Sequence, residues 1–182
     1  LTLTGYLGDR LIHNKPLSFS ASVSFEQTYV PVDGDSAAST ELYALLSALA
    51  EQPIDQGIAV TGSVNKRGEI QPIGGVNEKI EGFFRVCRLL GLTGRQGVLI
   101  PKQNQHNLVL SDEVVDAVKA GQFHVWAIGS IEEGIEVLTG MPAGQREANG
   151  RYTPGSLFER VDQRIEPLAS SFYAWSRGTP AE

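Results

Sequence analysis

The sequence predicts an α+β domain in which helices pack against a mixed β-sheet. Two observations lead to this class: strand-like alternation fills the first 32 residues, and helical stripes then alternate with short apolar runs. The composition is that of a folded protein, because 41% of the 182 residues are hydrophobic and 20% are charged. A chain of this length can bury a core of its own, so we expect one domain over residues 1–182.

The first predicted elements are a strand and a helix. In the stretch SASVSFEQTYV, Ala21, Val23 and Phe25 fall on one face, which is typical of a β-strand. Over residues 36–51 the leucines recur at helical spacing, which predicts a helix that ends before Pro53.

A β-hairpin and a second helix follow along the chain. The runs GIAVTGSV at 57–64 and EIQPI at 69–73 flank a polar turn that ends in Gly68, which favours a hairpin. The next apolar stripe opens after Gly75 and predicts a helix that ends near Gly91.

Two buried strands are predicted in the second half of the chain. The short apolar runs GVLIP at 97–101 and FHVWAI at 123–128 are typical of strands that are covered on both faces. Between them, the sequence from Ser111 predicts a helix.

Two more helices complete the prediction. Ser130 and Glu133 have the spacing of a capping box, which indicates a short helix that ends at Gly140. The last helix is expected at about 153–175, and Pro167 would kink it or end it.

Charge and cysteine content exclude several classes of protein. The net charge is -6 and the fifteen Lys and Arg residues are scattered, so we expect no nucleic-acid partner for this domain. Cys87 is the single cysteine and cannot form an internal disulfide, which indicates a cytoplasmic protein. No apolar run is long enough to span a membrane, so we expect no membrane segment, and we expect no metal site.

The stretch VDGDSAAST contains the first candidate catalytic residue, Ser36. Small neighbours would expose its hydroxyl at a helix N-terminus, where free backbone N–H groups and the positive dipole end favour a developing oxyanion. The alternative is that the hydroxyl and carboxylate side chains of this stretch only cap the helix. The stretch alone leaves both interpretations open.

A serine that attacks an amide needs a base. The histidines, His13, His106 and His124, lie in no recognisable triad or nucleophile-elbow motif. A lysine can serve if burial favours its neutral form, and Lys79 meets this condition best. On its predicted helix it shares one side with three apolar residues, Phe83, Val86 and Leu90.

Two alternatives remain for Lys79. Its stem could cover apolar surface while the amine reaches water. Glu78 and Glu81 could also pair with the amine and keep it charged.

Several motifs in this order identify a family. Ser36 and Lys79 are 43 residues apart, and DGDSAAST, TGSVNKRGEIQPIGGVNEKI, VLIPKQN and SIEEGIEVLTG follow one another along the chain. With these motifs the chain resembles the proteolytic domain of Lon proteases, which implies an α+β fold of the ribosomal protein S5 domain 2-like type. Asp35, just before the serine, is similar to the B-type branch of archaeal and related bacterial enzymes.

The resemblance implies a serine endopeptidase with a Ser-Lys dyad. The nucleophile of the family matches Ser36 and the general base matches Lys79. A threonine that orients the amine matches Thr61, and Asp33 matches an acidic residue of some branches, although it would equally suit a turn. The backbone N–H groups of Ser36 and Ala37 are the expected oxyanion donors.

The resemblance also implies partners outside this chain. Lon enzymes degrade unfolded or damaged proteins as homo-hexamers, driven by an upstream AAA+ ATPase domain that binds ATP and Mg. No G-x-x-x-x-G-K-[ST] motif occurs here and the chain begins without methionine, so we expect a fragment that binds no cofactor itself. The alternative function is a catalytically silent assembly domain of the same fold.

Overall fold

The structure, a computed structural model, describes residues 5–11, 21–24 and 34–176. Most of the strand predicted at SASVSFEQTYV lies outside these ranges, and its described part, 21–24, has no regular secondary structure.

The described part of the chain contains five α-helices and five β-strands. The helices are α1 (Ala38–Ala50), α2 (Val76–Leu90), α3 (Asp112–Lys119), α4 (Ile131–Thr139) and α5 (Leu157–Ser176). The strands are β1 (Ile58–Val60), β2 (Ser63–Val64), β3 (Ile70–Gln71), β4 (Gly97–Pro101) and β5 (His124–Ile128). A π-helical turn (Leu7–Leu11) and a 3-10 helix (Lys102–Asn107) are also present.

Strands of both orientations are present, and the predicted α+β class is confirmed. β1, β4 and β5 form a parallel sheet with β4 in the centre, and β2 pairs with β3 in an antiparallel hairpin. The hairpin reaches the end of β5 through an antiparallel bridge between Glu69 and Ser130 and a hydrogen bond from the Ile70 N–H to the Gly129 carbonyl (2.9 Å).

The predicted hairpin is correct at its turn and wrong in its length. The run at 57–64 divides, because β1 pairs in parallel with β4 while only β2 belongs to the hairpin. Between them the Thr61 N–H still donates to the Leu99 carbonyl (3.1 Å), but the Gly62 N–H donates to the Ser36 carbonyl (2.8 Å). The chain therefore leaves the sheet at Gly62 and crosses its carboxyl end.

The helix boundaries predicted from caps are largely confirmed. α2 lies between Gly75 and Gly91, both at positive φ (66° and 97°), and α4 is capped by Ser130, whose Oγ accepts from the Glu133 N–H (3.3 Å). The Glu133 carboxylate in turn accepts from the Gly129 N–H (2.8 Å), which completes the cap.

The last helix begins later than predicted, and of the two predicted effects of Pro167 the structure excludes an end of the helix. It begins at Leu157, because Ser156 and Glu159 form the same kind of cap as that of α4, with the Glu159 N–H donating to Ser156 Oγ (3.2 Å). The S-x-x-E pattern that marks this start was present in the sequence. Pro167 lies inside the helix and does not end it.

Helices lie on both faces of the sheet, and the prediction of fully buried strands is correct for β4 but wrong for β5, which is half-buried except at Ile128. Along β4, Leu99 faces a core that contains Leu42 of α1, while Val98 and Ile100 face a second core that contains Ile80 of α2. This is the alternation that an extended strand imposes. α1 and α2 therefore lie on opposite faces, and their side chains can meet only beyond the end of the sheet.

We predict that Gly134→Ala destabilises the fold by about 1–3 kcal/mol, although alanine is the better helix former. A Cβ atom at Gly134 in α4 would lie 1.9 Å from Tyr43 Oη, which is buried without a hydrogen-bond partner among the described residues. Urea denaturation measures the change. The matched control is Gly82→Ala in α2, where no atom lies within 4 Å and a gain of about 0.5–1 kcal/mol is expected. Equal effects at the two glycines would contradict the packing argument.

Candidate active site

Ser36 lies in a tight turn directly before α1. Gly34 has φ of +83°, and the Asp35 carbonyl accepts from the Ala38 N–H (3.0 Å). The N-cap position of α1 is Ala37, and among the described residues no side chain caps the helix. The capping interpretation of this stretch is therefore wrong for the residues that the structure describes, and the Ser36 hydroxyl is directed elsewhere.

The Ser36 hydroxyl contacts Lys79, which comes from the first turn of α2. The distance between Lys79 Nζ and Ser36 Oγ is 3.0 Å, and Lys79 Nζ is 3.1 Å from Thr61 Oγ1. Three separate segments thus bring two hydroxyls and one amine together at the carboxyl end of the parallel sheet. The carboxyl ends of parallel strands commonly form the binding crevice in open α/β sheets.

Thr61 connects the amine with the backbone of the turn. Its Oγ1 donates to the Ser36 carbonyl over 3.4 Å, and the same carbonyl accepts from the Gly62 N–H. A threonine hydroxyl has one hydrogen to donate. Because that hydrogen points at the Ser36 carbonyl, the Thr61 oxygen is an acceptor for one N–H of Lys79.

The expectation that apolar neighbours bury Lys79 is wrong. Lys79 itself is exposed, and on the same side of α2 Val86 is 52% and Leu90 is 83% exposed. The buried stripe of α2 contains Ile80, so Lys79 lies one position off the core face. The core of the single chain therefore does not bury the Lys79 side chain.

The predicted carboxylate partner Glu81 points away from the amine. It accepts from the backbone N–H and the hydroxyl of Ser111 (2.7 and 3.1 Å), at the start of α3. The snorkelling alternative is only partly correct, since the Lys79 residue is exposed while its amine is hydrogen-bonded to Ser36 and Thr61.

A further contact in this region was not predicted from the sequence. Ser63 Oγ donates to the Asp35 carboxylate over 2.5 Å, and Ser63 is buried at the start of β2. The one sequence signal was its position two residues after Thr61, since alternate residues of an extended segment point to the same side.

The expected oxyanion donors lie in the turn before α1. The backbone N–H groups of Ser36 and Ala37 donate to no other described residue. Asp33 lies outside the described residues, so its contribution stays a prediction.

Other candidate bases and nucleophiles lie elsewhere. His124 contacts the Gly94 carbonyl through Nε2 (2.8 Å) and stacks on Trp126, and His106 is exposed in the 3-10 helix. His13 lies outside the described residues. Cys87 lies on the buried side of α2, and burial raises the pKa of its thiol. It is therefore not placed to act as a nucleophile.

The described residues contain neither a metal-binding cluster nor a membrane-spanning helix. They contain no group of three or more His, Cys, Asp and Glu side chains that could hold a metal ion. No helix in the part of the chain that the structure covers is long and apolar enough to cross a membrane.

Comparisons with known proteins identify the class. The family model of the Lon protease (S16) C-terminal proteolytic domain matches residues 2–139. The chain is 47% identical over 165 residues to the "Putative Lon protease homolog" of Escherichia coli (strain K12), a match over 91% of this chain and 27% of that protein. The corresponding protein of Haemophilus influenzae is 44% identical over 155 residues, covering 85% and 26% of the two chains.

An archaeal protein is also similar, at a lower identity. The "Archaeal Lon protease" of Thermococcus kodakarensis is 36% identical over 119 residues, or 65% of this chain and 17% of that protein. The chain belongs to the Lon proteolytic domain family, and the resemblance found in its motifs is confirmed. It spans about a quarter of the length of its two bacterial relatives.

Proposed function

We propose that the domain is a serine endopeptidase in which Ser36 is the nucleophile and Lys79 is the general base. The observation that carries this proposal is the 3.0 Å distance between Ser36 Oγ and Lys79 Nζ, two side chains separated by 43 residues. Membership of the Lon proteolytic domain family supports a peptidase function in general. A nucleophile and a base within hydrogen-bond reach are the signature of covalent catalysis.

In the structure Lys79 Nζ donates to both Ser36 Oγ and Thr61 Oγ1, and a proton transfer from Ser36 requires the first of these contacts to reverse, with a neutral amine as the acceptor. A neutral lysine amine has two N–H donors and one lone pair. Because Thr61 Oγ1 accepts one N–H, the lone pair of Lys79 can point at the Ser36 hydroxyl. Attack of Ser36 Oγ on the scissile carbonyl then transfers the hydroxyl proton to Lys79 Nζ.

The remaining steps use the same groups. The N–H groups of Ser36 and Ala37 would bind the oxyanion of the tetrahedral intermediate, at the positive end of α1. The Lys79 ammonium then protonates the leaving amine, and the peptide bond breaks to give an acyl-enzyme on Ser36. Water, deprotonated by Lys79, hydrolyses this ester and restores both side chains.

The role of the whole protein is also part of the proposal. Two curated relatives are about four times as long as their match, so further segments of such a protein would act with this domain. We propose a homo-hexameric cytoplasmic enzyme that cleaves unfolded or damaged proteins, with ATP and Mg bound by an ATPase domain. The alternative, a catalytically silent assembly domain, is favoured by one observation: Lys79 is an exposed residue that the core of the single chain does not bury.

Substitution of the two proposed catalytic residues tests the enzyme against the silent domain. Ser36→Ala removes the nucleophile and should lower turnover by at least about 10³-fold, and Lys79→Arg should lower it by at least about 10²-fold, because arginine stays protonated. Cleavage of fluorescein-labelled casein by the full-length protein with ATP and Mg measures turnover.

Matched controls accompany these variants. Ser47→Ala and Lys119→Arg make the same chemical changes at the far end of α1 and on α3, and should leave turnover within about twofold of wild type. If Lys79→Arg keeps wild-type turnover, the general-base role is wrong. If wild type itself has no activity that Ser36→Ala removes, the silent alternative holds.

The acceptor role proposed for Thr61 gives a separate prediction. Thr61→Val keeps the shape of the side chain but removes its oxygen, so Lys79 loses the contact that orients its lone pair. We expect kcat to fall about tenfold, which corresponds to a hydrogen bond of about 1.4 kcal/mol, with little change in KM. Thr61→Ser keeps the oxygen and should retain most of kcat. Equal kcat values for the valine and serine variants would refute this role.

A further inference from the structure

Ser63 is a buried hydroxyl with one hydrogen-bond partner close to the nucleophile. It is 7% exposed, and its Oγ lies 2.5 Å from Asp35 Oδ2. This is the short distance of an O–H donor to a charged carboxylate, the stronger kind of protein hydrogen bond. Asp35 is the residue directly before Ser36.

Two backbone hydrogen bonds connect Gly62 with the backbone around Ser36. The Ser36 carbonyl accepts from the Gly62 N–H, and the Ser39 N–H donates to the Gly62 carbonyl (3.2 Å). On the N-terminal side of Ser36, Gly34 has a positive φ, which glycine adopts easily. On this side of the turn the Asp35 carboxylate accepts a hydrogen bond from Ser63 Oγ.

One short segment makes these contacts. Thr61 and Ser63 are two residues apart, and the Thr61 hydroxyl contacts Lys79 while the Ser63 hydroxyl contacts Asp35. Gly62, between them, packs closely against its neighbours. A Cβ atom at Gly62 would lie 3.2 Å from Ile70 Cγ2 and 3.3 Å from Ser39 Oγ. Movement of the turn relative to this segment would change the separation of Ser36 Oγ and Lys79 Nζ.

We propose that Ser63 is a positioning residue, which acts through the Asp35 carboxylate to hold Ser36 Oγ within reach of Lys79 Nζ. The proposal rests on the proposed Ser36 and Lys79 chemistry. The hydroxyl of Ser63 itself contacts neither side chain of the dyad, so its effect is on the alignment of the nucleophile and not on proton transfer. A misplacement of about 1 Å can lower turnover by about 10²-fold.

The test is a double-mutant cycle in the full-length protein. Ser63→Ala and Asp35→Ala each break the same hydrogen bond, and each should lower kcat for labelled casein about ten- to hundredfold. KM should stay within about twofold, because alignment affects the bond-forming step more than substrate binding. In the Asp35→Ala background, Ser63→Ala should change kcat by less than about twofold.

Three results would overturn the proposal. Ser63→Ala could leave kcat unchanged, the two substitutions could lower kcat by independent factors, or KM could change as much as kcat. Urea denaturation of each variant shows whether it is folded. Because Asp35 is exposed, Asp35→Ala tests the same bond if Ser63→Ala does not fold.

Ser36→Ala and Ser47→Ala are measured in the same assay. If Ser36→Ala keeps activity, the proposed function fails and the cycle reports on another site. If Ser36→Ala removes activity while Ser63→Ala and Ser47→Ala are both normal, only the positioning role fails. A drop for Ser63→Ala beside a normal Ser47→Ala, which also loses a hydroxyl hydrogen bond (2.7 Å), supports the role.

Discussion

The whole site depends on the crossing of the chain over the carboxyl end of the parallel sheet at residues 61–63. α1 and α2 cover opposite faces of β4, so the sheet itself separates Ser36 from Lys79 everywhere except beyond its end. At that end the Gly62 N–H donates to the Ser36 carbonyl in the turn before α1, and the Gly62 carbonyl accepts from the Ser39 N–H in the first turn of α1. This segment therefore fixes the geometry in which the hydroxyl and the amine meet.

Electrostatics and geometry contribute differently to this site. The geometry is complete within one chain, because the amine already contacts both hydroxyls. The exclusion of water is incomplete in one chain, since Lys79, Val86 and Leu90 are exposed, although Phe83 packs against the core. Burial of a lysine favours its neutral form. Under the proposed function, the activity of the base thus depends on what covers this face in the whole protein.

Local signals in the sequence predicted most elements well. Glycines at 75, 91 and 140 predict helix boundaries, because glycine easily adopts the backbone conformations of helix ends. The spacing of Ser130 to Glu133 predicts the cap of α4. The division of 57–64 into two strands was missed, because pairing with β4 is a long-range contact that no local pattern encodes. The serine cap of α5 was missed although its pattern was visible.

The sequence by itself determined the family and the α+β class and identified Ser36 and Lys79 as candidates, because the motifs and apolar periodicity that carry these conclusions are local. Only the tertiary structure decided that the serine stretch does not cap α1, that Lys79 is exposed, and that Ser63 holds Asp35. The physical reason is that these three depend on which surfaces face one another after folding. Helical spacing places a side chain on one side of its helix, but the packing of the other elements determines whether that side is buried.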